Sequence, residues 1–374
     1  AKKDVTAQLA PAVMSQGYGV GVYSYGGLYA SGNGAPFMDR FTALQVPAVG
    51  RCRNLIAGVI SSIDLELYKK STGVKLESPL WLDQPDMRQP RSVTIAYTVD
   101  SLLFYGVAYW RVTSLYADDG RPSGFEWVAN TRVTVTTDQY GDQVDYYSVN
   151  GVRAPMAGIG SLVTFQSLLP GVLETGARTI QSAIDVQKAA AVAAATPMPT
   201  GFIKNSGADL PEAQISGLLA AWKAARASRS TAYLTSTLDY QTVGFSPKDM
   251  MYNEASQYLA TQIARLMNVP AYYISADMNN SMTYQNIIDG RKEFVAYSLQ
   301  PFISAIENRL SMDDITAHGN VVRFALDETF LRADTAARLD AIEKMLNLGL
   351  IDLQQAQSME QLSPMGLNEG NGTN

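Results

Sequence analysis

Residues 246–270 read SPKDMMYNEASQYLATQIARLMNVP, and this stretch organises the rest of the chain. Ser246 fits a helix N-cap, Pro247 the first helical position, and Asp249 the positive end of the helix dipole. Met251, Ala255, Tyr258, Leu259, Ile263, Leu266 and Met267 recur at three- and four-residue spacing and make one apolar stripe. Asn268 and Pro270 are a stop signal. The spacing therefore predicts a long amphipathic helix over 247–268. The polar loop that follows, Ser275-Ala276-Asp277-Met278-Asn279-Asn280-Ser281, holds no lysine or arginine.

Working upstream, residues 198–246 read as a compact insert. Its expected elements are a strand at Gly201–Lys204, a helix at Pro211–Ala227 and further strands at Ala232–Leu234 and Tyr240–Val243. Lys223, Arg226 and Arg229 stand three apart and form the most basic cluster of the chain. They read either as a solvated face or as a contact for DNA or an acidic partner. Before the insert, Thr175–Thr196 forms a second long helix, rich in alanine (Ala189 to Ala191, Ala193 to Ala195) and closed by Pro197 and Pro199. Alanine gives high helix propensity and a thin profile that permits close approach. Two long helices thus flank one insert.

The first half of the chain has a different texture. A helix opens at Pro47 with Val49, Cys52, Leu55, Ile56, Val59, Ile60 and Ile63 on one face and runs into a strand at Leu65–Tyr68. A second helix, about Val93 to Tyr105, ends at Gly106. Strands follow at Ala108–Leu115, Arg132–Thr137, Val144–Val149 and Leu162–Phe165, separated by turns such as Asp118-Asp119-Gly120. The fold class is α+β. Residues 1–46, with glycines interleaved among Tyr18, Tyr23, Tyr25 and Tyr29, read as a flexible arm. Downstream of the polar loop, a third long helix from Thr283 to Leu310 should kink at Pro301, which has no backbone donor. A strand near Val321–Ala325 and helices at Asp334–Leu348 and Asp352–Gln361 complete the chain, and Gly366–Asn374 reads as a disordered tail.

Composition bounds the function. Charged residues are 17% of the 374, and 47% are apolar; so few charges are low for a free-standing monomer and suggest surface hidden between subunits. The net charge of −6 argues against a tight, sequence-specific DNA binder, which needs a dense cationic face. There is one cysteine, Cys52, and one histidine, His318. A His/Cys zinc site within one chain is excluded, as is an internal disulfide, which fits a reducing cytoplasmic origin. Any Ser-His-Asp or Cys-His mechanism would run through His318, whose setting, Thr316-Ala317-His318-Gly319-Asn320, reads as an exposed turn. Cys52, between Arg51 and Arg53, reads as a buried structural thiol, with an activated thiol as the alternative. No G-x-G-x-x-G or Walker-type loop occurs, and no apolar run of about 18 residues predicts a membrane span. No cofactor and no metal site is expected.

The order of these pieces resembles the portal proteins of tailed bacteriophages. The likeness is carried by Ser246–Pro270, by Tyr297-Ser298-Leu299-Gln300-Pro301-Phe302-Ile303-Ser304-Ala305-Ile306-Glu307-Asn308-Arg309-Leu310, by Val46–Tyr68, and by Leu102-Leu103-Phe104-Tyr105-Gly106-Val107-Ala108-Tyr109-Trp110. Leu331-Arg332-Ala333-Asp334, Leu348-Gly349-Leu350-Ile351 and Leu362-Ser363-Pro364 continue it. One departure is Gln354, Gln355 and Ser358, where the family often has Asn-Glu and Arg.

The resemblance implies a portal fold assembled as a ring, usually a dodecamer. Its regions would be an arm (1–46), an α+β wing (47–174), a stem helix (175–197), a clip (198–246), a second stem helix (247–270) and a tunnel loop (271–283). A kinked wing helix and strand (284–330), a helical crown (331–365) and a tail (366–374) would follow. It further implies double-stranded DNA passing through the channel during packaging and ejection, with the terminase, the major capsid protein and the head-tail connector as partners. The location implied is the virion. The tunnel loop would place Asp277, Asn279, Asn280 and Ser281 at the throat, where absent cations minimise friction on a phosphate backbone. Lys223, Arg226 and Arg229 would sit in the clip. The rival readings are another capsid component, or a hydrolase using Asp313 and Asp314 or Asp327 and Glu328, whose adjacency points the two side chains of each pair apart.

Overall fold

The computed structural model describes residues 38–137, 144–195, 201–207, 210–227, 236–242, 251–274, 290–326, 335–353 and 355–356. In chain order the elements are α1 (Arg40–Leu44), α2 (Pro47–Ser62), β1 (Leu65–Lys69), β2 (Lys75–Leu76), α3 (Leu80–Asp83), α4 (Arg91–Tyr105), β3 (Val107–Leu115) and β4 (Pro122–Val128). Next are β5 (Val133–Thr137), β6 (Val144–Val149), β7 (Val152–Arg153), β8 (Leu162–Gln166), α5 (Val172–Thr175) and α6 (Ala177–Ala195). Then come β9 (Gly201–Asn205), α7 (Glu212–Ala227), β10 (Leu238–Thr242), α8 (Tyr252–Leu266), α9 (Gln300–Leu310), β11 (Asn320–Phe324) and α10 (Thr335–Asn347).

The stripe read on α2 is the buried one: Val49, Cys52, Ile56 and Ile60 are fully enclosed. This face packs on α4, whose end is set by Gly106 in the left-handed region (φ 74°), donating to the Leu102 carbonyl. Gly106 lets the chain reverse directly into β3. Here the strand is apolar on both faces for a reason. Ala108, Trp110 and Val112 point into the main core, while Val107 and Tyr109 point into a smaller one with Val128, Val133, Val135 and Val149. The Trp110 indole N–H donates to Thr98 Oγ1 (2.7 Å), and Thr98 in turn donates to the Thr94 carbonyl (2.8 Å). Polar residues inside α4 are thereby satisfied.

Three three-stranded sheets result, ordered β4-β3-β8, β5-β6-β7 and β11-β1-β2, with β9 and β10 as a separate two-stranded sheet. All the pairings are antiparallel. The β1–β11 pair joins Leu65 to Phe324, so the region after the polar loop completes a sheet begun early in the chain.

Several expectations change. Part of the expected flexible arm, residues 38–46, is anchored to the body: Asp39 caps α1 through its bond from the Thr42 amide, and Met38, Ala43 and Val46 are buried. β4 is an element the sequence reading did not list. Its Pro122 and Gly124 look like turn residues, yet Gly124 sits opposite a β-bulge at Ser114, where a Cβ would lie 2.7 Å from Ser114 Oγ. The long helix around Pro301 does not simply kink. Phe294–Leu299 is a π-helical turn, and Pro301 falls in the first turn of the regular helix α9. The cap at Ser246 and Pro247 and the strand at Ala232–Leu234 lie outside the described residues, as do most of 352–361 and the tail.

Candidate functional site

α6 and α8 pack against each other in a graded way. At the start of α6, Ala177, Ile180, Ala183 and Ile184 are buried in the main core, whereas most of 187–194 is exposed. α8 mirrors this: Met251 and Tyr258 are each 62% exposed, and Ile263, Ala264 and Met267 are buried. The helices therefore leave and re-enter the body as an antiparallel pair, rooted at one end and uncovered at the other. The apolar stripe of α8 and the alanines of α6 continue past the point where the single chain can cover them, as at Val192, 67% exposed.

Glycines make the root possible. A Cβ on Gly176 would lie 2.1 Å from Leu266 Cδ2, and one on Gly171 would lie 2.6 Å from the Phe104 carbonyl oxygen. The first sets the approach of α6 to α8, and the second the approach of the start of α5 to the end of α4. The α8 terminus closes with the Asn268 amide on the Arg265 carbonyl and the Val269 amide on the Ala264 carbonyl (2.8 Å), with Asn268 left-handed at φ 53°. This is a Schellman closure with asparagine in the glycine position. Residues 271–274, the first of the expected loop, form a 3-10 turn against α2: Arg51 Nε donates to the Tyr273 carbonyl (3.3 Å), and Tyr273 stacks near Phe294.

At the far end, the insert holds β9, β10 and α7. Trp222 of α7 packs on Tyr240 of β10, ring centroids 5.0 Å apart. Lys223 is exposed, and Arg226 follows in the same helix; Arg229 lies outside the described residues. Lys204, which sequence reasoning passed over, is exposed on β9 and paired in register with Asp239. Cross-strand pairing alone could have identified it. Asp277, Asn279, Asn280 and Ser281 lie outside the described residues, as do Asp327 and Glu328.

The candidates for catalysis are not assembled. Cys52 is buried, which pushes its thiol up to about 12 despite Arg51 nearby; this thiol is structural. His318 is highly exposed and, among the described residues, meets the exposed Asp313, 3.1 Å away on the same turn. Asp314 is held by a two-pronged contact with Arg309 at 2.8 and 2.9 Å. No group of three His, Cys, Asp or Glu among the described residues could hold a metal. Nor is any described helix long and apolar enough to cross a membrane.

An α+β body thus sends out a rooted helix pair that leads into a small insert. The sequence model of the phage portal protein family matches residues 47–360. The chain belongs to the phage portal protein family, and it is a portal subunit of the phage head. It is 24% identical to the "Probable portal protein" of Streptomyces phage phiC31, over 94% of this chain and 82% of that protein. Among solved structures it is similar to an HK97-family phage portal protein from Corynebacterium diphtheriae. That likeness has a TM-score of 0.62 at 25% identity and covers 82% of this chain and 98% of the other. The neck of an empty gene transfer agent (GTA) particle shares the fold, with a TM-score of 0.58 at 20% identity over 90% of this chain and 98% of that one. Portal proteins are structural rather than enzymatic.

Proposed function

We propose that the chain is one subunit of a closed ring, a dodecamer, at one capsid vertex of a virion. Double-stranded DNA is packaged and later ejected through its channel. The carrying observation is the helix pair whose outer half is uncovered in the single chain. Val192 and Tyr258 are exposed there beside a run of alanines, and a neighbouring copy in a head-to-tail ring is the covering surface that geometry supports. The twelve-fold symmetry used for the neck of the native gene transfer agent particle, which shares the fold, supports the copy number.

In this reading α6 and α8 are the stem, and β9, α7 and β10 belong to the clip, which meets the terminase and then the head-tail connector. The sheets with α9 form the wing, facing the major capsid protein. The region around α10 is the crown. Asp277, Asn279, Asn280 and Ser281 line the throat, and Lys223, Arg226 and Arg229 touch DNA or the motor. The ring carries no active site of its own. Its net negative charge repels DNA from most of the surface, and a throat without fixed cations avoids the friction that each neutralised phosphate would add. Synthesis in the bacterial cytoplasm fits the single buried thiol.

Electron microscopy of the purified protein tests the ring: closed rings with a central hole are expected, and monomers or open filaments at every concentration overturn it. In a reconstituted packaging system, Asn279→Lys with Asn280→Lys should slow translocation. Unchanged rates remove the throat from this loop. Charge reversal at Lys223, Arg226 and Arg229 that leaves packaging intact removes those residues from the contact.

A further inference from the structure

The end of α8 and the π-helical turn Phe294–Leu299 are joined by two hydrogen bonds that run in opposite directions. Asn268 Nδ2 donates to the backbone carbonyl of Tyr297, and Ser298 Oγ donates to the backbone carbonyl of Asn268. Ser298 is only 2% exposed, so its hydroxyl has little water to turn to instead.

The Tyr297 carbonyl is a telling acceptor. In a regular α-helix it would receive the amide of the residue four positions on. That residue is Pro301, which has no N–H. The turn before it is wound in the wider π register, with the Gln300 amide on the Val295 carbonyl. The side chain of Asn268 supplies a donor where the proline removes one. It can do so because Asn268 is left-handed (φ 53°) and already closes α8 through the Schellman bonds. Its backbone N–H is occupied with α8, and its side-chain amide faces the other helix. Asparagine tolerates this conformation and carries the donor; glycine would tolerate it and carry none.

We infer that Asn268 is a positioning residue: its backbone closes α8 while its side chain pins that helix end to the π turn, and the need for the pin arises from Pro301. The two helices it joins are separated by more than twenty residues of chain, so the pin fixes the approach of one to the other. A π turn holds one residue more than the α-helix it replaces. Losing it would rotate the helix ahead of it, including buried Phe294 and Val295, by about 100°. The inference does not depend on the ring or on DNA.

The test uses the whole chain and four variants, Asn268→Gly, Asn268→Asp, Pro301→Ala and the Asn268→Gly/Pro301→Ala double, with hydrogen exchange followed across residues 290–302. Asn268→Gly keeps the left-handed closure of α8 and deletes only the donor. Exchange in the π turn should then rise about two- to tenfold, the factor one neutral hydrogen bond is worth, while the last turn of α8 stays unchanged. Asn268→Asp, equal in size but without N–H donors, should do at least as much. Pro301→Ala restores an amide opposite Tyr297, so adding Asn268→Gly to it should have a smaller effect than in the parent. Unchanged exchange in Asn268→Gly, or effects of Asn268→Gly and Pro301→Ala that simply multiply, would overturn the assignment. An increase confined to α8 would overturn it too, because it would leave Asn268 as a helix cap alone.

Discussion

Gly176→Ala tests the root of the helix pair with one added carbon. The new Cβ would lie 2.1 Å from Leu266 Cδ2, 3.2 Å from its Cγ and 2.9 Å from the Val172 carbonyl oxygen. Carbon atoms pack at about 3.5–4.0 Å, so the Leu266 methyl must retreat by roughly 1.5 Å. Leu266 is half-buried against the main core, and a new rotamer gives up that packing. Val172 is backbone and cannot swing away. Overpacking of this kind costs about 1–3 kcal/mol. An overlap this deep places the cost at the upper end of that range; replacing glycine also stabilises by about 0.4–1 kcal/mol through the unfolded chain, which leaves a net loss of about 2 kcal/mol. The assay is urea unfolding at fixed protein concentration, in a cycle of Gly176→Ala, Leu266→Ala and the double variant. Removing the leucine side chain removes the main clash, so the double variant should be more stable than the sum of the two losses allows. The residual Val172 contact should keep the rescue incomplete. Losses that add to within about 0.5 kcal/mol, or a Gly176→Ala protein as stable as its parent, would refute the close approach of α6 and α8 at this point.

Gly171→Ala should be worse, because all three nearest atoms belong to the α4 backbone at 2.6, 2.8 and 3.0 Å; a loss of about 3 kcal/mol or insoluble protein is expected, read by the same unfolding assay. Asp100 is 5% exposed and accepts from Arg40 (2.6 and 3.0 Å) and Arg53 (2.6 Å), so Asp100→Ala should cost about 2 kcal/mol. That is below the roughly 3–5 of a fully buried pair because both arginines reach solvent. The pH profile should have two opposed parts. The Arg88 contact holds the Asp86 carboxyl below its ordinary value against its burial, and burial of Glu126 is outweighed by Arg111 and Arg88. Their contribution is present above the ordinary carboxylate range, near pH 4, and lost as the pH falls below it. Glu307 is the reverse. Burial raises its carboxyl despite the Phe324 amide and Arg323, so stability it contributes when protonated is lost as the pH rises through its raised pKa. Glu307→Gln should therefore raise the melting temperature at pH 7 and leave it unchanged near pH 4; no gain at pH 7 would contradict this.

Much of the local structure was legible in the residues. α2, α4, α6, α7 and the end of α8 follow apolar periodicity and stop signals that act over one or two turns, and the turn around His318 was legible, whereas only burial in the fold decides between a structural and an activated thiol at Cys52. β4 was not legible, because Pro122 and Gly124 imitate a turn and the buried Glu126 imitates a surface position. Its acceptance in the strand depends on Arg111, directly across the pair. The packed α1 was hidden for a similar reason: its anchor, the Arg40–Asp100 contact, joins residues 60 positions apart.

The same division holds for the site. Sequence by itself determined two long helices around an insert, a run without cations after the second, and a composition poor in charge, since propensity, caps and composition are local or additive. Only the tertiary structure decided where the helix pair is rooted, how far it stands uncovered, and that Asn268 answers the donor missing at Pro301. Those depend on which distant atoms meet, at Gly176 and Leu266 or at Asn268 and Tyr297, and no periodicity within either segment carries that information.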